Sequence, residues 1–337
     1  MGVTDVKKII ALLSLALIVF SMAACGEAET PKTTPKNIMQ KSDPAEDDVF
    51  NLLMVGHSGC YYYTEELYNV AKAAGVKMRV CNVYYSGCPL EKHWTWWKNG
   101  EAHYEFFVVD DNGKQEFKDV DLKFCMEQYN WDAITLMENS KLTRKDAGKD
   151  AYAGNKLYIT DLFGYFQEQF PKTEILWHQA WSYQVGYDGT ETNGYKVDTA
   201  EEQAGFAARR KEFAMCVVND FDVRRVPGGD AWQIVRTEYN YDKLCARLGS
   251  NEGKGDNSHD GDIGGGQYLN ACVWFETLTG KSCIGNTYRP RYKSNTVLSE
   301  ELKSDLMVHQ EGIEYLLDEE LITMLQQAAH KAVEQMN

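Results

Sequence analysis

The chain has 337 residues, 44% hydrophobic and 25% charged, the composition of a folded globular protein rather than of a disordered or fibrous one. Its formal charge is −15 and it has no block of basic residues, which excludes nucleic acid as an expected partner and electrostatic attraction to anionic lipid as a means of reaching a membrane. Twenty Tyr, 13 Phe and eight Trp are enough to build both a core and an aromatic-lined pocket.

Residues 1–24 read as a secretory signal. Lys7 and Lys8 precede an apolar run from Ile9 to Phe20, and Ser21-Met22-Ala23-Ala24-Cys25 follows. The run is too short and wrongly flanked for a permanent spanning helix. Cys directly after Ala23-Ala24 resembles the bacterial lipobox, so Cys25 is expected to be lipidated and to hold the mature chain on the outer side of the cytoplasmic membrane. Residues 25–48 carry Pro31, Pro35 and Pro44 among Thr, Lys, Glu and Asp. Such a segment buries too little to fold and is expected to be a disordered tether. Residues 49–337 are expected to form one domain.

That domain opens with Phe50-Asn51-Leu52-Leu53-Met54-Val55, an apolar run that reads as a buried parallel strand and ends in Gly56-His57-Ser58. A helix over Thr64 to Ala74 closes at Gly75, and a second strand runs from Lys77 to Tyr84. A short Trp-rich segment follows, with His93, Trp94, Trp96 and Trp97. Next, 103–109 and 114–117 flank Asp110-Asp111-Asn112-Gly113, a hairpin signal that we read as an insertion at the sheet's rim. A third strand over 131–137 ends in Glu138-Asn139-Ser140. A helix over 155–170 leads to a fourth strand, 174–177, which opens into His178-Gln179-Ala180-Trp181.

A Gly-, Tyr- and Asp-rich loop fills 182–198. Thr199 and Glu202 then have the spacing of a capping box, with Phe206, Phe213, Cys216 and Val217 on one helical face. A fifth strand covers 223–226. Residues 249–266 are Gly- and Asp-rich and irregular, a helix over 267–279 ends at Gly280, and 299–335 reads as helix again. Alternating strands and helices imply a parallel five-stranded sheet covered on both faces, a three-layer α/β/α sandwich.

Ser58 sits at the end of the first strand, where open α/β sheets gather their ligands. Far along the chain, Asp256-Asn257-Ser258-His259 places an acid three residues before a histidine. That acid can fix the tautomer of His259 and stabilise its protonated form, completing a nucleophile, a base and an orienting acid in the order Ser…Asp…His. Taken singly, Gly56 and Ser58 could be no more than a turn that caps a helix, and Asp256 and His259 no more than loop residues.

Four blocks in order make the case together. Gly56-His57-Ser58, Gly87 in Tyr85-Ser86-Gly87-Cys88-Pro89, Asn139, and Asp256 to His259 followed by Gly266-Gln267-Tyr268 resemble the SGNH (GDSL-type) hydrolase superfamily. The closer resemblance is to its branch of domains of unknown function in bacterial lipoproteins. The resemblance implies a flavodoxin-like sheet of order 2-1-3-4-5 and a serine ester hydrolase in which Ser58 attacks. The Ser58 N–H, the Gly87 N–H and the Asn139 amide would form its oxyanion hole. His57 departs from the aspartate usual in the first block, Glu138-Asn139 departs from Gly-x-Asn-Asp, and the stretch 259–264 is more acidic than usual.

The remaining candidates are secondary. His57, adjacent to Ser58, reads as a turn residue at the pocket, and His178 and Trp181 line the pocket or finish the core edge. The Trp94-Trp96-Trp97 cluster could stack on sugar but is better placed as a rim packed on the hairpin. Cys60 and Cys88, at adjacent strand ends, could pair. There is no CxxC and no Walker-type loop, so neither a metal nor a cofactor is expected. Two functions stay open: a lipid-anchored esterase that takes acetyl or similar acyl groups from glycans or small esters, and a degenerate SGNH-like lipoprotein that only binds glycans or other ligands.

Overall fold

The computed structural model describes residues 48–139, 148–190, 195–248 and 261–336. In chain order the elements are β1 (Phe50–Gly56), α1 (Ser58–Tyr61), α2 (Thr64–Ala73), β2 (Met78–Tyr84), α3 (Leu90–Asn99), β3 (Tyr104–Asp110), β4 (Gly113–Val120), α4 (Leu122–Met126) and β5 (Ala133–Met137). They continue with α5 (Gly148–Gln169), β6 (Glu174–His178), β7 (Asp188–Gly189), β8 (Tyr195–Lys196), α6 (Ala200–Phe221), β9 (Arg224–Val226) and α7 (Gly228–Glu238). The last are α8 (Gly266–Thr279), β10 (Arg291–Lys293), α9 (Glu300–Leu306), β11 (Val308–Glu311), β12 (Glu314–Leu317) and α10 (Glu319–Glu334).

The central sheet has the order β4-β3-β2-β1-β5-β6-β9. Its five parallel strands, β2-β1-β5-β6-β9, stand in the expected 2-1-3-4-5 sequence, and the class is the expected α/β/α sandwich. Every residue of β1 is buried. Leu52 and Met54 enter one core with α2, α7, α8 and α10, whereas Leu53 and Val55 enter the other with α3, α5 and α6. That two-sided burial is why β1 reads as one apolar run instead of an alternation.

The strand count differs from five because the hairpin is part of the sheet. β3 pairs antiparallel with β2, from Val80 opposite Val109 to Tyr84 opposite Glu105, and Tyr104, Phe106 and Val108 are buried. The Asn-Gly turn is where it was expected, but β3 belongs to the core, since β2 would otherwise leave its edge unpaired. β4 is the true rim: it is exposed and carries Lys114, Glu116, Lys118 and Asp119, charges that discourage pairing with another chain.

The expected helix over 299–335 is also corrected. Met307 adopts φ 54° and Gly312 φ 65°, which break the segment into α9, the hairpin β11–β12 and α10, with β10 completing a small second sheet. The capping box at Thr199 and Glu202 forms as expected, and Gly280 ends α8 at φ 65°. No described helix is long and apolar enough to cross a membrane.

Candidate active site

Chain geometry at the end of β1 leaves no room for side chains. A Cβ at Gly56 would lie 2.7 Å from Cys60 Sγ and 3.0 Å from Met137 Cγ, so this position needs glycine for close packing. His57 follows in extended conformation and caps α1, its Nδ1 accepting from the Gly59 N–H at 3.1 Å. Its Nε2 lies 3.0 Å from the Glu138 carbonyl oxygen. An acceptor at Nδ1 and a carbonyl at Nε2 assign the neutral Nε2–H tautomer. Both ring nitrogens are thus used, Nδ1 to cap α1 and Nε2 to tie the turn to the end of β5, which makes His57 a brace and leaves it unfit as a base for Ser58. Beneath the turn, Asn82 Nδ2 donates to Cys60 Sγ at 3.0 Å and to Met54 O at 3.1 Å, and Cys60 N–H donates to His57 O at 3.0 Å. Ser58, at the first position of α1, stays partly exposed.

Gly87 is in the left-handed region at φ 59°, a conformation that favours glycine whatever space surrounds it. Asn139, 1% exposed, donates from Nδ2 to the Gly87 carbonyl oxygen. These two residues come from the strands on either side of β1, so the 2-1-3 order is what brings Ser58, Gly87 and Asn139 to one place. An array of this kind can stabilise an oxyanion, with about 3 kcal/mol per donor as a typical contribution.

Sequence reasoning missed a buried pair beside them. Glu138 is wholly buried, and burial pushes its carboxyl up to about 7 although Arg210 pulls it down. Arg210 Nη1, on α6, is 3.9 Å from Glu138 Oε1. The signal was available: Arg210 lies on the same helical stripe as Phe206, Phe213 and Val217, where a charge needs a buried partner.

His178 and Trp181 back the site from inside the core and do not line an open wall. His178 is 1% exposed, meets Trp274 edge-on at 5.0 Å, and has Tyr63 Oη 3.4 Å from Nδ1. Burial, then His57 and the Arg210 charge, push it down to about 3, so it is neutral. Trp181 stacks on Trp232 with centroids 4.8 Å apart. Cys60 and Cys88 are buried thiols, with no disulfide between them.

The mouth of the site is aromatic. Tyr61, Tyr62 and Tyr84 are half-buried; Tyr61 lies 4.9 Å from Tyr84 and 4.6 Å from Phe107 of β3. Lys114 of β4 reaches the Tyr61 hydroxyl at 3.2 Å, so the hairpin borders the site. The Trp cluster packs mainly elsewhere. Trp94 donates to Asp161 at 2.8 Å and Trp97 meets Tyr165 at 4.7 Å, both on α5, while Trp96 alone of the three packs on Tyr104 of the hairpin.

Asp256 and His259, like Cys25, lie outside the described residues. The described residues that flank 249–260 are nonetheless pinned to each other. Leu248 N–H donates to Asp262 Oδ1 at 3.0 Å, Gly261 N–H to Leu244 O at 2.9 Å, and Gly264 N–H to Ala246 O at 3.0 Å. A Cβ at Gly261 would lie 2.1 Å from Ala246 O, which is why glycine stands there. Arg247, on the outgoing arm, lies 4.7 Å over the Tyr62 ring, four residues beyond Ser58. The described chain on either side of 249–260 therefore meets at one point, with Arg247 beside the Ser58 turn.

A parallel 2-1-3-4-5 sheet covered by helices on both faces defines an α/β/α protein, with Ser58, Gly87 and Asn139 just beyond the ends of three neighbouring strands. The chain belongs to the family described as Domain of unknown function (DUF4886), which it matches over residues 52–304. It is similar to a crystal structure of a member of that family from Bacteroides uniformis, at 24% identity and a TM-score of 0.67, over 85% of this chain and 95% of that one. Likeness to a lipase/acylhydrolase from Enterococcus faecalis has 11% identity and a TM-score of 0.41, over 68% of this chain and 96% of that one. A GDSL-like lipase from Bacteroides thetaiotaomicron matches at 8% identity and 0.37, over 68% and 88%. No curated protein matches the chain.

Proposed function

We propose that this protein is an exported, lipid-anchored serine esterase that removes acetyl or similar acyl groups from carbohydrate. Ser58 is the nucleophile, His259 the base and Asp256 the acid that orients it. The Ser58 hydroxyl attacks the ester carbonyl carbon as His259 Nε2 takes its proton, and the carbonyl oxygen becomes an oxyanion. The N–H groups of Ser58 and Gly87 and the amide of Asn139 receive that charge. Collapse expels the alcohol, which takes the proton from His259, and water then releases the acyl group from Ser58 by the same steps in reverse.

One observation carries this reading. The two arms of the segment bearing Asp256 and His259 are pinned beside Tyr62, on the turn that presents Ser58, where Gly87 and Asn139 already meet. The binding-only alternative drew its support from His57 and Glu138 as departures from the superfamily pattern. Both have structural tasks, as a brace and as half of a buried pair, so neither argues for a dead site. The half-buried tyrosines at the mouth suit a sugar, whose apolar faces rest on rings and whose hydroxyls find the phenols.

The test is turnover of p-nitrophenyl acetate and of a panel of acetylated glycans by the mature chain, with labelling of Ser58 by a fluorophosphonate. A folded chain that takes no label and turns over none of these esters overturns the reading. Anchoring is tested separately. Cys25→Ser should abolish incorporation of a radiolabelled fatty acid and release the protein from the membrane fraction; a wild type that incorporates none refutes the anchor.

A further inference from the structure

Glu138 and Asn139 form one dipeptide with several tasks. The Glu138 carbonyl accepts from His57 Nε2 at 3.0 Å and so holds the turn that carries Ser58. The Asn139 amide donates to Gly87 O and so holds the loop that carries the second oxyanion donor. Whatever fixes the backbone at 138–139 fixes both sides of the site at once.

The Glu138 side chain is the group with no evident local reason to be there. It is 0% exposed, and neither carboxyl oxygen has a hydrogen bond among the described residues. Filling that space with a carboxyl is costly when an apolar side chain would do. Arg210, 2% exposed, faces it from α6 with Nη1 at 3.9 Å, and its guanidinium lies 4.8 Å over the Phe206 ring and 5.8 Å over Tyr183. Burying this cation is costly too, and in the pair each charge offsets part of the other's cost. Two long side chains on different elements, each immobilised by burial, set the distance between the end of β5 and α6.

We propose that the Glu138–Arg210 pair is a positioning device for the oxyanion hole, clamping the 138–139 backbone so that His57 holds the Ser58 turn and Asn139 holds the Gly87 loop. The kinetic part rests on the esterase reading; the positional part does not. Glu138 is a positioning residue in this scheme, and it touches no substrate.

The single change Glu138→Gln removes the charge that faces Arg210 at 3.9 Å and risks unfolding, so the deciding variant is Glu138→Gln with Arg210→Met, which removes both charges at similar volume. Two readouts are taken on this folded double variant: a crystal structure, and kcat and KM for p-nitrophenyl acetate. The expected result is an Asn139 side chain displaced from Gly87 O, with kcat lowered about 10-fold or more and KM changed less than about 3-fold, the mark of a loss felt in the transition state. A double variant that keeps the His57–Glu138 and Asn139–Gly87 contacts, with kcat within about 2-fold of wild type, overturns the proposal. If the wild type itself turns over no ester, the esterase reading fails, and the positions of Asn139 and His57 in the crystal decide the role of the pair alone.

Discussion

The carboxyl ends of β1, β2 and β5 and those of β6 and β9 lie along one edge of the same sheet, yet they are finished differently. Over the first set, Ser58 and Gly87 remain partly exposed, with His57 and Asn139 buried just below as supports. Over the second, the edge is closed. Gln179 Nε2 donates to Asp230 Oδ1 at 2.9 Å, and Arg225 and Lys211 reach Asp230 Oδ2 at 2.8 and 2.9 Å. Burial alone would raise the Asp230 carboxyl, but Arg225, Gln179 and Lys211 hold it below its usual range. α7 sits directly on this edge because Gly228 and Gly229 allow it: a Cβ at Gly229 would be 2.4 Å from the Ala180 carbonyl oxygen. Both halves carry polar residues at strand ends, and only the half at the reversal of strand order, between β1 and β5, keeps them accessible. A polar residue beyond a strand end is therefore a candidate for chemistry only after one asks what covers it.

The sharpest way to break this contrast is at Ser58. Ser58→Ala should lower ester turnover by a factor on the order of 10⁴ or more and leave the melting temperature nearly unchanged. Retained turnover in purified Ser58→Ala would move the chemistry away from the open half. On the closed half the effect should invert. Trp181→Ala removes a ring stacked on Trp232 at 4.8 Å and should cost about 3–5 kcal/mol in stability by denaturant melts, while the protein that remains folded keeps its kcat. A large fall in kcat with stability intact would instead make Trp181 a wall of the pocket.

Asn139→Ala probes the border of the open half. Loss of one oxyanion donor should lower kcat by about 10²–10³, near 3 kcal/mol, with KM moved far less, because the charge it serves exists only in the transition state. Steady-state kinetics on one soluble ester decide the point, and an unchanged kcat strikes Asn139 from the hole.

Much of this was legible before any fold was known, and what was not has a common cause. The apolar strand at 50–55, the capping box at Thr199 and the helix stop at Gly280 are local signals, and they formed where their residues placed them. Ser58, Gly87 and Asn139 were legible because a parallel sheet puts all its strand ends on one side. β3 was recognisable as a strand, but its membership of the main sheet depends on the free edge of β2, a fact about another segment. The segment 299–335 misled because α9 and α10 are helical, while Met307 and Gly312, at φ 54° and 65°, turn the chain between them into the hairpin β11–β12. Arg210 could have been flagged as a charge on an apolar stripe, whereas its partner Glu138 belongs to a different strand end and no periodicity links the two. The burial of His178 needed the position of α8, whose Trp274 covers it.

The smallest expected effect concerns how Glu138 titrates. Its carboxyl is raised from 4.5 to about 7, first by burial, with Arg210 opposing. Below 4.5 the group is protonated whether the chain is folded or not, and the fold keeps its full advantage. Between 4.5 and about 7 the unfolded chain ionises while the folded one still holds its proton. Stability contributed by this group is therefore present at low pH and lost as pH rises through about 7. The full shift sets an upper bound of about 3 kcal/mol, and relaxation around the ionised pair should bring the observed change to on the order of 1 kcal/mol. Other groups titrate in the same range, so the measurement is a difference: melts at several pH values for wild type and for the double variant Glu138→Gln with Arg210→Met, in which neither side chain ionises. The wild type should lose stability relative to the variant as pH climbs from 5 to 8. Parallel curves would mean that Glu138 does not change charge in this window and that the Arg210 guanidinium keeps it ionised throughout.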